Sequence, residues 1–153
     1  MRALAAVLSS AGVLLAAACG GATPSAVDPA LGRVINVTMT EFAFSPATIT
    51  LAPGEKVTFK LKNSGVVEHD FMAGREATPG KGYALDWIAK AVDGTRPPHT
   101  HAGEAAMGEG VRVTADWMLT LTVVVPQEKG EYEFGCFVQG HYEAGMKGRL
   151  IVQ

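Results

Sequence analysis

Residues 136–146 read CFVQGHYEAGM and bring Cys136, His141 and Met146 together at intervals of five in one glycine-broken segment. A thiolate, an imidazole and a thioether are three metal donors of different softness. Structural zinc prefers four good ligands, usually several cysteines and histidines, and a thioether serves it poorly. Iron–sulfur clusters need more cysteines than this chain offers. One thiolate, two imidazoles and a weak methionine form the donor set that suits a redox-active copper ion. The loop supplies all but the second imidazole, and His69 in VVEHDF is the candidate for it. Each residue alone has a blander reading: a satisfied core histidine, a buried cysteine acting as a small hydrophobe, a methionine filling space. A Cys–His nucleophile pair is the catalytic competitor. No third orienting residue and no oxyanion motif accompany it, and we expect no enzyme activity.

The elements that must position these residues are strands. Ile49 and Leu51 alternate with Thr48 and Thr50, and Val57, Phe59 and Leu61 alternate with Lys56, Thr58, Lys60 and Lys62. APGE (52–55), NSG (63–65) and PQEKGE (126–131) punctuate the runs as turns. Further strands are read in VINVTM, VVEHDFMA, DWMLTLTVVV, YEFGC and KGRLIVQ. Leu85, Ile88, Ala89 and Val92 in YALDWIAKAV fall at helical spacing, so a short helix is expected over 83–92. Seven or eight short strands with spaced turns predict an all-β, Greek-key β-sandwich with that helix inserted between strands. Tyr132, Phe134 and Cys136 share one face of a strand, and a new strand begins near Met146. His141 and Met146 therefore lie on a loop at one end of the sandwich.

The chain has 153 residues, 48% hydrophobic and 18% charged, enough for one folded domain with a real core. A net charge of −2 gives no support for a nucleic-acid partner. Residues 1–18 read as an export signal, with Arg2 followed by an apolar run of small residues. AAAC ending at Cys19 resembles a bacterial lipidation site. Ala16–Ala18 alternatively offers an ordinary signal-peptidase site, and the lipidated form is the favoured one. Residues 19–32 then make a possible lipid-anchor cysteine and a flexible linker, and 33–153 the folded domain. Export leaves Cys136 as the only thiol of that domain, and metal binding would protect it from oxidation. PPHTHAGEAAM (97–107) carries His99, His101 and Met107, a candidate weak second copper site set against a plain solvated loop.

The pattern resembles the cupredoxin family of plastocyanins, azurins and auracyanins over about residues 34–153. The matching pieces are FSPATITLAPGEKVTFKLKN, EHDF with His69, C-x4-H-x4-M at Cys136, His141 and Met146, and KGRLIV. The loop spacing is nearest to the auracyanins. The resemblance implies one type 1 copper ion with His69, Cys136 and His141 equatorial and Met146 axial. It implies a one-electron carrier acting as a monomer between redox protein donors and acceptors. The leader and Cys19, for their part, lead us to expect export to the periplasm or cell surface and a lipid hold on a membrane. A copper-handling protein for tolerance or delivery is the alternative, since such proteins share the same loop. The copper domain of a larger oxidase is a weaker reading, for no further copper-binding histidine set is legible. One position departs from the family: Asp70 follows His69 where asparagine is common. An ionised aspartate side chain cannot donate a hydrogen bond, although its backbone N–H remains free to reach the Cys136 sulfur.

Overall fold

The structure is a computed structural model that describes residues 31–88 and 110–153. Residues 1–30, with the expected leader, Cys19 and most of the linker, lie outside the described residues, as do His99, His101 and Met107.

Ten strands are assigned among the described residues: β1 Arg33–Thr40, β2 Ala43–Ser45, β3 Thr48–Leu51, β4 Lys56–Asn63, β5 His69–Thr78, β6 Gly82–Asp86, β7 Val111–Val113, β8 Met118–Val124, β9 Gly130–Gly135 and β10 Lys147–Val152. They build two sheets. One has the order β2-β1-β4-β8; the other has β3-β10-β9-β5-β6, with β7 also pairing β5. β1 runs parallel to β4, and β3 parallel to β10. The other pairings are antiparallel. This is the β-sandwich that the alternating pattern predicts.

The alternation works because each strand turns one face inward. Val57, Phe59 and Leu61 are fully buried, while Lys56, Lys60 and Lys62 are exposed. Thr58 breaks the pattern. It is buried, with its hydroxyl donating to Leu31 O at 2.6 Å and accepting from the Thr122 hydroxyl at 2.7 Å. Phe44, Phe59, Phe71 and Phe134 form the centre of the core, ring against ring, with centroids 5.3–6.0 Å apart. Each such ring contributes on the order of 2–3 kcal/mol by leaving water. Trp87 ties the sheets together by donating its indole N–H to Val124 O at 3.0 Å.

The helix expected over 83–92 is corrected at its start. Tyr83–Asp86 belong to β6, paired antiparallel with β5 through Arg75↔Leu85 and Ala77↔Tyr83. Leu85, the first residue of the helical spacing, is 46% exposed on this edge strand. β5 runs on to Thr78, well past the expected strand, and β6 satisfies the backbone groups of that extension. Residues 89–92 of the expected helix lie outside the described residues.

Candidate metal centre

Two strands and a loop bring the donors together. β5 opens at His69 directly from the 64–68 loop, and β9 delivers Cys136 one residue past its end. Register does the rest, because β5 and β9 are neighbours with Met72 opposite Gly135. The loop from Cys136 to Met146 is closed by its own backbone. Cys136 N–H donates to Met146 O at 3.1 Å, Met146 N–H to His141 O at 3.0 Å and His141 N–H to Val138 O at 2.9 Å. Gly140 and Gly145 turn this loop with φ of 81° and 99°. A Cβ at either would meet nothing within 4 Å, so it is the backbone angle and not crowding that calls for glycine.

His69 Nδ1, His141 Nδ1 and Cys136 Sγ all lie within 4.8 Å of one another. The edges of the triangle are 3.2 Å between the nitrogens, 3.4 Å from sulfur to His141 and 3.9 Å from sulfur to His69. Three ligands held about 2.0–2.3 Å from one ion give edges of about 3.3–3.8 Å, so the donors fit a single small cation. His69, Cys136 and Met146 are fully buried, and His141 keeps 9% of its surface exposed. Met146 is anchored in the loop through both its N–H and its C=O, at the end from which β10 departs.

The electrostatics also suit a cation. Burial, reinforced by the neighbouring His141, lowers the His69 pKa below its ordinary 6.5 and keeps the ring neutral. Burial pushes the Cys136 thiol up to about 11, against the pull of backbone N–H groups from Asp70 and Val138. Without a cation, then, a neutral His69 ring and a protonated Cys136 sulfur face one another. A bound ion would exchange the thiol proton for its own charge. His69 Nε2 is buried with no hydrogen-bond partner among the described residues. The tautomer of this ring is therefore set from the Nδ1 side, where the other donors lie.

The surroundings sort the sequence expectations. Asp70 N–H reaches Cys136 Sγ at 3.2 Å, as its backbone allowed. Phe71 and Phe134 wall the core beneath the donors. Phe137 instead turns to the outer face of the sheet, where it stacks on Tyr142 and meets Tyr83 edge-on. Glu133 accepts hydrogen bonds from both Tyr83 and Tyr142. Three contributors lie outside the sequence expectations. Phe42 sets its ring edge on His141, with centroids 5.3 Å apart, from a backbone at φ 64°. Asn63 is buried and donates to Val67 O and Val113 O while accepting from Gly65 N–H, knitting the loop before His69 to β7. Arg112 bonds Asp70. A polar residue on the inward register of Val57, Phe59 and Leu61 is a visible signal for Asn63; Phe42 and Arg112 carry none.

A β-sandwich with this donor triangle at one end defines a copper-binding domain. The family model described as copper binding proteins, plastocyanin/azurin family, matches residues 33–153, and the chain belongs to that family. It is 34% identical over 124 residues to the copper-resistant cuproprotein CopI of Rubrivivax gelatinosus, covering 79% of this chain and 67% of that one. It is 33% identical over 110 residues to plastocyanin A/B of Petroselinum crispum, covering 71% of this chain and 86% of that one. Among solved structures, reduced auracyanin from Roseiflexus castenholzii superposes with a TM-score of 0.54 at 21% identity, covering 80% of this chain and 98% of that one, a likeness of fold.

Proposed function

We propose that this protein is a type 1 copper electron carrier, with His69, Cys136 and His141 as its strong ligands and Met146 as the weak one. The observation that carries the reading is the buried triangle of two imidazole nitrogens and one sulfur. Copper bound there supplies a single chemistry, the uptake and return of one electron. The chain's own residues supply the rest. Cys136 and His141 are fixed by backbone bonds to a closed loop, and His69 by the strand that follows it, so the donors need not rearrange as the charge changes. Phe71 and Phe134 exclude water from below.

His141 is the ligand with a remaining exposed edge, and Gly140, Ala144 and Gly145 beside it are small and exposed. We take this edge as the port for the electron. Phe42, Val66 and Val67 lend the same end exposed apolar surface on which redox protein donors and acceptors could dock. In our reading the protein is exported, acts as a monomer, and works at a membrane through a lipid on Cys19. It performs no substrate chemistry.

A second reading is favoured by the Rubrivivax gelatinosus relative, a copper-resistant cuproprotein: this chain would then hold copper for tolerance or delivery. Kinetics separate the two. A carrier exchanges electrons quickly and reversibly with its metal retained, whereas a delivery protein gives copper up to a chelator or recipient. The test of the site itself is the visible spectrum. Copper-loaded protein is expected to have an intense thiolate-to-copper band that disappears in Cys136→Ser. A colourless copper complex, or a band that survives the substitution, rules the site out.

A further inference from the structure

Beside the copper ligands lies an ion-pair chain that the one-electron function does not by itself require. Asp70 and Arg112 are directly opposite one another in the β5–β7 pairing, flanked by His69↔Val113 and Phe71↔Val111. Val111 and Val113 are buried, so β7 is pinned to the core on both sides of Arg112. Arg112 Nε donates to Asp70 Oδ1 at 2.9 Å, and its Nη1 lies 3.2 Å from Glu68 Oε1. The guanidinium is thus held between the two carboxylates that bracket His69. Asp70 keeps only 8% of its surface exposed. Its backbone N–H is the group that donates to Cys136 Sγ at 3.2 Å.

Resting on the copper reading above, we propose that Arg112 is a positioning residue that sets the balance between the two copper oxidation states through Asp70. Two effects act together. The guanidinium holds the Asp70 side chain, and with it the peptide whose N–H bonds the sulfur; that bond draws electron density from the thiolate. The guanidinium also neutralises a carboxylate beside the site. Reduction adds one electron and no proton, so the site loses one unit of positive charge. A nearby cation favours the reduced state and a nearby carboxylate the oxidised one. With Arg112 in place the two charges cancel, and the largely buried Asp70 is poorly screened by salt, so the cancellation matters. An asparagine at position 70 would have no need of the arginine. Arg112 is the structural answer to the charge that this chain's Asp70 introduces.

The experiment compares the midpoint potentials of copper-loaded wild type, Arg112→Gln, Arg112→Lys, Asp70→Asn and the Arg112→Gln/Asp70→Asn double variant. It also measures amide exchange at Asp70 in the metal-free proteins. Arg112→Gln is expected to weaken Cu(I) relative to Cu(II) about three-fold, a fall of about 28 mV at 59 mV per decade for one electron. Asp70→Asn should move the potential upward by a similar amount, and the double variant should return to near wild type. Arg112→Lys keeps the charge but not the fork, and should restore most of the potential. The Asp70 amide should exchange several-fold faster in metal-free Arg112→Gln. Equal potentials in wild type and Arg112→Gln, or shifts of the same sign in Arg112→Gln and Asp70→Asn, overturn the proposal. Failure of the copper reading looks different: wild type itself lacks the Cys136-dependent band. The metal-free exchange rate then decides whether Arg112 positions Asp70, and an unchanged rate overturns that too.

Discussion

Phe42 concentrates at one residue the tension between local preference and site geometry. A phenylalanine at φ 64° sits in the left-handed region, which costs a side chain with a Cβ about 1–2 kcal/mol. Its ring is 48% exposed and sits edge-on to His141. The strain is kept where the ring shields the one ligand with an open edge. Phe42→Gly and Phe42→Ala both remove the ring, but only glycine relieves the backbone. Chemical denaturation should find Phe42→Gly more stable than Phe42→Ala by about 1 kcal/mol. Both should release copper to a chelator faster than wild type, because the shield is gone in each. Nothing in the string EFAF marks this residue out. Its conformation follows from the two-residue hairpin between β1 and β2, and its neighbour His141 comes from the other end of the chain.

At the level of elements, the donor loop and the strand after it use glycine for different reasons, and substitution should separate them. Gly145 needs only its positive φ, so Gly145→Ala should lower stability by about 1–2 kcal/mol. Gly148 on β10 packs under Phe134. A Cβ there would fall 2.2 Å from the ring and 2.7 Å from Ala47 O. Gly148→Ala forces core and backbone apart and should lose about 3 kcal/mol, readable as a larger drop in Tm. The strands themselves were legible because their alternation reports burial directly, as in Val57, Phe59 and Leu61. C-x4-H-x4-M was legible because the loop and its donors are contiguous, and His69 because the donor set lacked a second imidazole and VVEHDF offered one; that β5 opens at His69 itself was not. The Arg112–Asp70 pair was not, since 42 residues separate partners that only strand pairing brings together. β6 misled for a related reason. Leu85 and Ile88 sit at helical spacing, yet Ile88 is buried and Leu85 is half exposed on a sheet edge.

For the whole molecule, the buried donors give the metal-free protein a bounded pH range. His69 is held below its ordinary 6.5 in the folded state, so as pH falls below 6.5 the unfolded chain takes up a proton the folded one refuses. Stability drops. Cys136 is raised from 9.0 to about 11, so between those values the unfolded chain has lost a proton the folded one retains, and stability drops again. Denaturation of the metal-free protein should therefore be hardest between about pH 6.5 and 9, and copper loading near pH 7 should release about one proton, readable by calorimetry in buffers of different ionisation heat. The parallel pairing of β1 with β4 has a directional consequence. Arg33 lies opposite Val57 and Met39 opposite Asn63, so β1 runs for about 23 Å toward the hairpin that carries Phe42. Any tether upstream of Leu31 grips the pole remote from the donor triangle. A bilayer holding the protein by that pole would leave the exposed edge of His141 facing outward, like the lamp at the end of a mooring line, turned toward the aqueous space and away from the lipid.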